Sequence, residues 1–156
     1  MSKSLKRVRA ALETAGILPD IMETGEAART AQKAAELAGC HVDQIAKSII
    51  FRGLESDRAI LFLTAGGNRV SEDKASALAG EPLGKADAAL IRRQTGFAIG
   101  GVAPVGHLNP IRAFVDPRLC EFESVWAAAG TPHHIFRLEP EKMIALCAGT
   151  VAPFSL

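Results

Sequence analysis

Apolar residues recur at every third or fourth position in several segments of the chain, which is the spacing of one helix face. The first of these segments carries Leu5, Val8 and Leu12, with basic residues between them. Thr30 is a typical N-cap residue, and alanines follow it at helical spacing as far as Gly39. The remaining helices are predicted to begin at Ser71, Asp87 and Pro140. The pattern therefore predicts about five helices.

Short runs of β-branched, aromatic and other apolar residues lie between these helices and predict about six or seven strands. The predicted strands are 21–22, 48–51, 59–63, a run that begins at Thr95, 111–115, 124–128 and 134–138. Polar residues at 55–57 separate two of them and predict a hairpin turn. Helices and strands are mixed rather than strictly alternating, so an α+β domain is favoured over a doubly wound parallel sheet.

The composition is that of a globular protein, and the length of 156 residues predicts a single domain, 1–156. Apolar residues make up 48% and charged residues 22%, which excludes a disordered or fibrous chain. No apolar run approaches the ~20 residues that span a bilayer, and the basic start lacks the apolar segment of a secretory signal. A cytoplasmic protein with no membrane partner is therefore expected.

The charge balance limits the kind of partner. Basic and acidic residues number 18 and 17, whereas a protein that binds long duplexes by charge alone is more basic. The segment Lys3–Arg9 and the pair Arg92-Arg93 are modest basic patches that suit a few phosphate contacts. Cys40, Cys120 and Cys147 are widely spaced, so neither a disulfide framework nor a metal site is expected.

Lys47 is the first candidate for chemistry. It lies at the boundary between a short helix and a strand, with apolar residues on both sides in sequence. If its side chain follows the inward face, its ammonium lies beside a cavity and can bind a carbonyl, carboxylate or phosphate group. The alternative is a strand-edge lysine whose stem covers the core while its ammonium reaches water, and spacing alone favours that alternative.

The glycine-rich segment from Gly100 to Gly106 is the second candidate. Two adjacent glycines allow unusual backbone conformations and let a ligand approach main-chain amides, which can then act as donors. The segment matches neither the P-loop nor the dinucleotide-binding motif. A tight turn with a bulge is the structural alternative, and residue types alone favour it.

The adjacent histidines His133 and His134 follow a proline turn and are the third candidate. Adjacent side chains of a strand point to opposite faces, so at most one of the two faces a given pocket. A two-histidine metal site is disfavoured unless His41 or His107 converges on it. The sequence contains no GxSxG motif, and none of the cysteines has a nucleophile-like context.

Taken together and in order, these segments resemble the YbaK/EbsC family, the stand-alone relatives of the editing domain inserted in bacterial prolyl-tRNA synthetases. The resemblance covers about 5–152. The segments that carry it are Ala28-Arg29-Thr30 through Cys40, Gln44 to Ser48, Thr95 to His107, and Val125 to Gly130.

The resemblance implies a six- or seven-stranded mixed sheet curved into a partial barrel with helices around it. It also implies an enzyme that hydrolyses the ester between a noncognate amino acid and the 3′ end of a tRNA, usually tRNA(Pro), in trans and without a cofactor. The partner is then the acceptor end of a mischarged tRNA, with prolyl-tRNA synthetase as a second candidate partner.

The family lysine matches Lys47, and the family glycine loop matches Gly100 to Gly106, with Gly101 as the second expected catalytic position. In this reading Lys47 holds the terminal phosphate or the carbonyl, and amides at Gly101 and its neighbours stabilise the oxyanion. The ribose hydroxyl of the tRNA orients the water, so no protein base is required. The candidate substrate-binding residues are Thr30, Gly100, Val102, Ala103, Pro104 and His133.

The chain departs from relatives that act on cysteinyl-tRNA(Pro). Those relatives carry a serine in the late strand and an aspartate shortly after it, whereas Ala128 stands at the serine position here and no aspartate is near. The difference weighs against cysteine and leaves alanine, serine, threonine or a short nonprotein amino acid open. A non-catalytic module that binds a tRNA end, an amino acid or a partner protein is the alternative function. A purely structural α+β domain is the third.

Overall fold

The computed structural model describes residues 2–25 and 29–156, and in that part of the chain five α-helices and eight strands form a mixed α+β fold. The helices are α1 (Lys3–Thr14), α2 (Ala31–Ala38), α3 (Glu72–Ala79), α4 (Ala88–Thr95) and α5 (Pro140–Cys147). The strands are β1 (Ile21–Glu23), β2 (Ile45–Gly53), β3 (Ala59–Ala65), β4 (Leu83–Lys85), β5 (Arg112–Val115), β6 (Val125–Ala128), β7 (His134–Leu138) and β8 (Thr150–Val151). Two 3-10 turns, Val42–Gln44 and Pro117–Glu121, precede β2 and follow β5.

All eight strands belong to one curved, unclosed sheet in the order β1-β7-β6-β2-β3-β5-β8, with β4 paired to β2. The pairs β1–β7, β6–β7, β2–β3 and β2–β4 are antiparallel. The pairs β2–β6, β3–β5 and β5–β8 are parallel. The prediction of a mixed, curved sheet with helices around it is confirmed.

The predicted capping residues begin and end the helices. Thr30, Ser71 and Asp87 each accept a hydrogen bond from a backbone amide three residues on. Gly39 and Gly80 follow α2 and α3 in the left-handed conformation that glycine adopts without a steric penalty. None of the helices in the described part of the chain is long and apolar enough to cross a membrane.

The strand predicted to begin at Thr95 is wrong. Thr95 is instead the last residue of α4, where its hydroxyl donates to Ile91 O at 2.6 Å and accepts from Phe97 N at 3.1 Å. Phe97 is fully buried, with the Arg7 guanidinium 4.7 Å from its ring centroid. The apolar run thus fills the core from an irregular loop. The very short β4 and β8 raise the strand count above the predicted number.

The sheet buries a different core on each face. One face packs against α1, α4 and α5 through residues such as Leu12, Leu90 and Met143. The other face carries two separate clusters, one beneath α2 and one beneath α3. On β2, Ile45 belongs to the α2 cluster, and Ile49 packs against the α3 cluster. Since alternate residues of a strand share a face, Lys47 lies between the two clusters.

Candidate active site

The candidate site includes a part of β2 where strand pairing along one side of this strand is interrupted. On that side β6 pairs with Ile45 and Ala46, and β4 pairs with the segment Phe51–Gly53. On the opposite side β3 pairs with β2 without a break, from Ala46 to Arg52. Within the described residues, 47–50 therefore have no partner strand on the β6 side. The glycine loop is anchored at this gap, since Ser48 Oγ donates to Val102 O at 2.7 Å.

The Lys47 side chain is half-buried, and its ammonium is tethered to the backbone. Its Nζ donates to Asn68 O at 2.7 Å. A lysine ammonium has three N–H donors, so two remain for another partner. Burial lowers the pKa of Lys47 and Arg69 acts in the same direction, while Asp43 and Asp116 oppose them. The arrangement is a positive point charge tethered to the turn that follows β3.

The carboxylate of Asp116 holds the turn that presents the Asn68 carbonyl. Asp116 is 3% exposed, and its Oδ2 accepts from Ala65 N at 3.1 Å and from Asn68 Nδ2 at 2.9 Å. Its Oδ1 accepts from Arg118 N at 3.0 Å. Burying a carboxylate is costly unless hydrogen bonds replace its water, and these bonds do so here. Ala65 and Asn68, at the two ends of the turn, are therefore both hydrogen-bonded to the buried Asp116 carboxylate.

A second carboxylate, that of Asp43, holds the same turn from the other side. Its Oδ1 accepts from Gly67 N at 2.8 Å, and its Oδ2 pairs with Arg118 Nε at 3.0 Å. The hydrogen bonds to Arg118 and Gly67 hold the pKa of Asp43 below its ordinary value although burial raises it. A Cβ on Gly66 would collide with the Val42 carbonyl oxygen, so this turn requires glycine for close approach. The sequence analysis did not find Asn68, Asp43 or Asp116.

Gly101 lies against the turn that follows β6. A Cβ at this position would be 2.8 Å from both the Cα and the carbonyl carbon of Thr131. The Gly101 amide donates to Ala98 O at 3.0 Å and so closes a turn of its own. Gly100 has a φ of +87° with open space around it. Gly100 thus has the left-handed backbone conformation, and Gly101 makes the close contact with the Thr131 backbone.

The other loop candidates face elsewhere. Val102 and Ala103 are buried in the core on the α1 face of the sheet. Pro104 lines a cavity of about 390 Å³ that also includes His107 and Leu146. His107 Nε2 donates to Ala103 O at 2.6 Å, and burial lowers the pKa of this histidine. The loop backbone is therefore bonded to Ser48, the residue after Lys47, and the side chains of Val102 and Ala103 pack in the core.

His133 is exposed and has a fixed ring orientation. Its Nδ1 is 2.9 Å from Gly25 O. A carbonyl oxygen only accepts, so Nδ1 carries the proton and Nε2 of the neutral ring is an acceptor. His134 Nδ1 is instead 2.6 Å from the hydroxyl of Thr131. Within 2–25 and 29–156, no three His, Cys, Asp or Glu side chains gather in a way that could hold a metal ion.

Thr24 adds a polar group that the sequence analysis did not identify. It lies opposite His133 at the end of the β1–β7 pair, where its amide donates to His133 O at 2.7 Å. Thr24 is 9% exposed, and its hydroxyl has no hydrogen-bond partner among the residues that the structure describes. Met22 and Ile135 pack beneath α2, so strand alternation assigns Thr24 and His133 to that same face.

The α2 face thus gathers several of the candidates. Ala128 pairs with Ile135, and its side chain is on the face opposite to that of Ala127, which belongs to the α1-face core. Thr30 begins α2, and its hydroxyl oxygen accepts from Lys33 N at 3.1 Å. Lys47, Thr24 and His133 provide polar groups of different kinds on one face: a cation, a hydroxyl and an imidazole acceptor. Such a set can bind a small substrate that carries both an ester and an amino group.

The chain belongs to the aminoacyl-tRNA editing domain family, whose model matches residues 25–146. This confirms the resemblance drawn from the sequence. The chain is 31% identical over 140 residues to the uncharacterized protein YwhH of Bacillus subtilis (strain 168), covering 90% of this chain and 88% of that one. Solved structures extend the comparison. A crystal structure of a proposed trans-editing enzyme for prolyl-tRNA synthetase is 43% identical with a TM-score of 0.92, covering 100% of this chain and 99% of that one.

The hypothetical protein APE2540 is a more distant structural relative. It is 24% identical with a TM-score of 0.86, and the match covers 96% of this chain and 99% of that one. At 24% identity, this similarity is evidence for a shared fold alone. The two solved structures match 100% and 96% of this chain, so the fold is shared with both of them.

Proposed function

We propose that the protein is a trans-acting aminoacyl-tRNA deacylase that hydrolyses the ester of tRNA(Pro) carrying a small noncognate amino acid. The observation that carries this proposal is the tethered ammonium of Lys47, next in sequence to the serine that anchors the glycine loop, in a chain of the editing family. The 43% identical relative, with its proposed prolyl-tRNA synthetase role, supports the choice of tRNA. In this proposal the editing domain is the single unit 1–156, acts in the cytoplasm and uses no cofactor.

The chemistry needs only modest help, because an aminoacyl ester is already activated. Attack by water on the ester carbonyl produces an oxyanion, and the two remaining donors of Lys47 would stabilise it or hold the terminal phosphate. The ribose hydroxyl of the terminal nucleotide would orient the water. His133 Nε2 is an acceptor that suits the α-amino group of the substrate. This role of His133 depends on the ring orientation set by its hydrogen bond to Gly25 O.

Gly101 would contribute mainly through its shape. Its amide is hydrogen-bonded to Ala98 O, so a role as oxyanion donor requires that bond to open. The absence of a Cβ lets the loop lie against the backbone of Thr131. The methyl group of Ala128 would leave part of the wall apolar where a serine would add a hydroxyl. Small amino acids would then be selected by size, and one methylene is worth ~1–3 kcal/mol.

The decisive experiment is deacylation of tRNA(Pro) charged separately with alanine, cysteine, serine, threonine and proline. We expect at least one noncognate ester to be hydrolysed while Pro-tRNA(Pro) is spared. No turnover of any ester, extended to a panel of other tRNAs, would replace this proposal with the binding-module function. Turnover on another tRNA alone would keep the enzyme and change its substrate.

The pH dependence of the reaction provides a test of Lys47. Burial lowers the pKa of this lysine, and the charged form exists below that pKa. We therefore expect kcat/KM to fall on the alkaline side, at a pH below the ordinary lysine range. Lys47→Arg stays protonated at every accessible pH, so its residual activity should lack this alkaline limb. The measurement is kcat/KM against pH, corrected for spontaneous ester hydrolysis, and an identical limb in both proteins would contradict the assignment.

Thr24→Val separates stability from activity. Within 2–25 and 29–156 the buried Thr24 hydroxyl has no hydrogen-bond partner, so its removal should leave the free energy of unfolding unchanged or raise it by about 1 kcal/mol. If the hydroxyl contacts substrate, kcat/KM for deacylation should fall roughly tenfold. Thr95→Val is the matched control, because the Thr95 hydroxyl is bonded and its loss should cost about 1 kcal/mol of stability. Denaturant unfolding and deacylation rates together decide the result, and full activity in Thr24→Val removes Thr24 from the site.

A further inference from the structure

We propose that Asp116 is a positioning residue that acts through Asn68 to hold the Lys47 ammonium in place for the ester substrate. The inference rests on the proposed function for the identity of the reaction. The arrangement of the three residues can be measured without any substrate, so the two proposals can fail separately.

A continuous chain of hydrogen bonds connects Asp116 to Lys47. Lys47 Nζ donates to Asn68 O at 2.7 Å, and Asn68 Nδ2 donates to Asp116 Oδ2 at 2.9 Å. The same carboxylate oxygen accepts from Ala65 N, and Asn68 N donates to Ala65 O at 2.8 Å. Asn68 is thus held at both its side chain and its backbone. The carbonyl oxygen that receives the ammonium has little freedom to move.

The position of Asp116 in the fold makes it a rigid support. Its own amide donates to Leu63 O at 2.9 Å, which continues the β3–β5 pairing by one residue. Its Oδ1 accepts from Arg118 N at the start of the following 3-10 turn. The carboxylate is therefore fixed to the central sheet at the end of β5, and the ammonium it positions is on β2, on the other side of β3. A group supported in this way holds its partner more precisely than a surface loop does.

Charge gives Asp116 a second effect on Lys47. The charged groups that face this lysine are Asp43 before β2, Arg69 after the turn and Asp116 after β5. Arg69 and burial disfavour the ammonium, whereas the two carboxylates favour it. Asp43 is itself paired with Arg118 at 3.0 Å, which partly offsets its charge. Asp43 still has the larger effect on the pKa of Lys47, and the buried Asp116 carboxylate adds a second, smaller counter-charge that has no such ion pair of its own among the described residues.

Two variants separate the hydrogen-bonded connection from Asp116 through Asn68 to Lys47 from the effect of the Asp116 charge. Asp116→Asn removes the charge and keeps the size of the side chain. Asn68→Ala removes the bond to Asp116 while keeping both the carboxylate and the backbone carbonyl. Ser155→Ala is the matched control, because Ser155 Oγ contacts the same Asp116 oxygen at 3.4 Å but does not lead to Lys47. Should Asp116→Asn fail to fold, Asn68→Ala alone still tests the tether.

The first measurement is the pKa of Lys47, obtained from the NMR signals of isotope-labelled lysine side chains assigned with Lys47→Arg. We expect the pKa of Lys47 to fall in Asp116→Asn, and not to fall in Asn68→Ala or Ser155→Ala. A value unchanged in folded Asp116→Asn would overturn the electrostatic part of the proposal, even if activity were lost. This readout is independent of the reaction and does not respond to a loss of stability alone.

The second measurement is kcat/KM for deacylation in a double-mutant cycle. We expect each of Asp116→Asn and Asn68→Ala to reduce kcat/KM roughly tenfold, mainly through kcat. The double variant should be no worse than the more damaged single variant, because both substitutions break one chain of bonds. Additive losses, or full activity in Asn68→Ala, would overturn the positioning role. If wild-type protein hydrolyses no ester while the pKa of Lys47 shifts as expected, the proposed function fails and the Lys47 arrangement stands.

Discussion

Lys47→Ala is expected to reduce deacylation by roughly 100-fold or more, as removal of a single preorganised donor does in other hydrolytic sites. The substitution removes the ammonium that donates to Asn68 O and with it the two donors left for the substrate. Stability should change by only about 1 kcal/mol, because the side chain is half-buried and makes one hydrogen bond to a carbonyl. The measurement is single-turnover hydrolysis of the preferred ester, alongside denaturant unfolding.

Lys85→Ala is a suitable control for this prediction. Lys85 is an exposed lysine on β4, where it pairs with Phe51 of β2, the strand that carries Lys47. Replacing either lysine by alanine removes one positive charge, so the two variants have the same net charge. We expect it to retain nearly full activity. Full activity in Lys47→Ala would show that the site is elsewhere, even if the protein does hydrolyse aminoacyl esters.

Gly101→Val is expected to have the second large effect, a loss of roughly 100-fold in deacylation. The new Cβ would be 2.8 Å from backbone atoms of Thr131, and backbone has no rotamer by which to move aside. The loop must therefore shift away from the turn after β6, and the backbone beside Lys47 shifts with it. Crowding of this kind also costs about 1–3 kcal/mol of stability. Activity per folded molecule must therefore be reported together with the unfolding curve.

Gly149→Val controls for the cost of crowding itself. A Cβ at Gly149 would be 2.9 Å from Val115 Cγ2 and 3.0 Å from Cys147 Sγ, between α5 and β8. We expect this variant to lose stability while its folded fraction stays active. Retained activity in Gly101→Val would exclude the glycine loop from the reaction and leave Lys47 as the only supported catalytic position.

Much of the fold follows from local signals in the sequence. Thr30, Ser71 and Asp87 begin helices because their side chains satisfy amides that the helix cannot. Short runs of apolar residues predict most strands, and β7 has the predicted bounds. The run after Thr95 misled the analysis because its residue types suit a strand. Its structure depends on Phe97 entering a core made by distant segments.

Residue types and their order along the chain identify the groups capable of chemistry, above all Lys47 and the glycine loop. The surroundings of these groups depend on contacts between segments that are distant in sequence. Asn68 is 21 residues from Lys47, and Asp116 is a further 48 residues away, so no local pattern connects these three residues. The gap beside β2 likewise arises from three strands that meet there. Periodicity reports which face of an element is apolar, whereas contacts between elements depend on how the whole sheet packs.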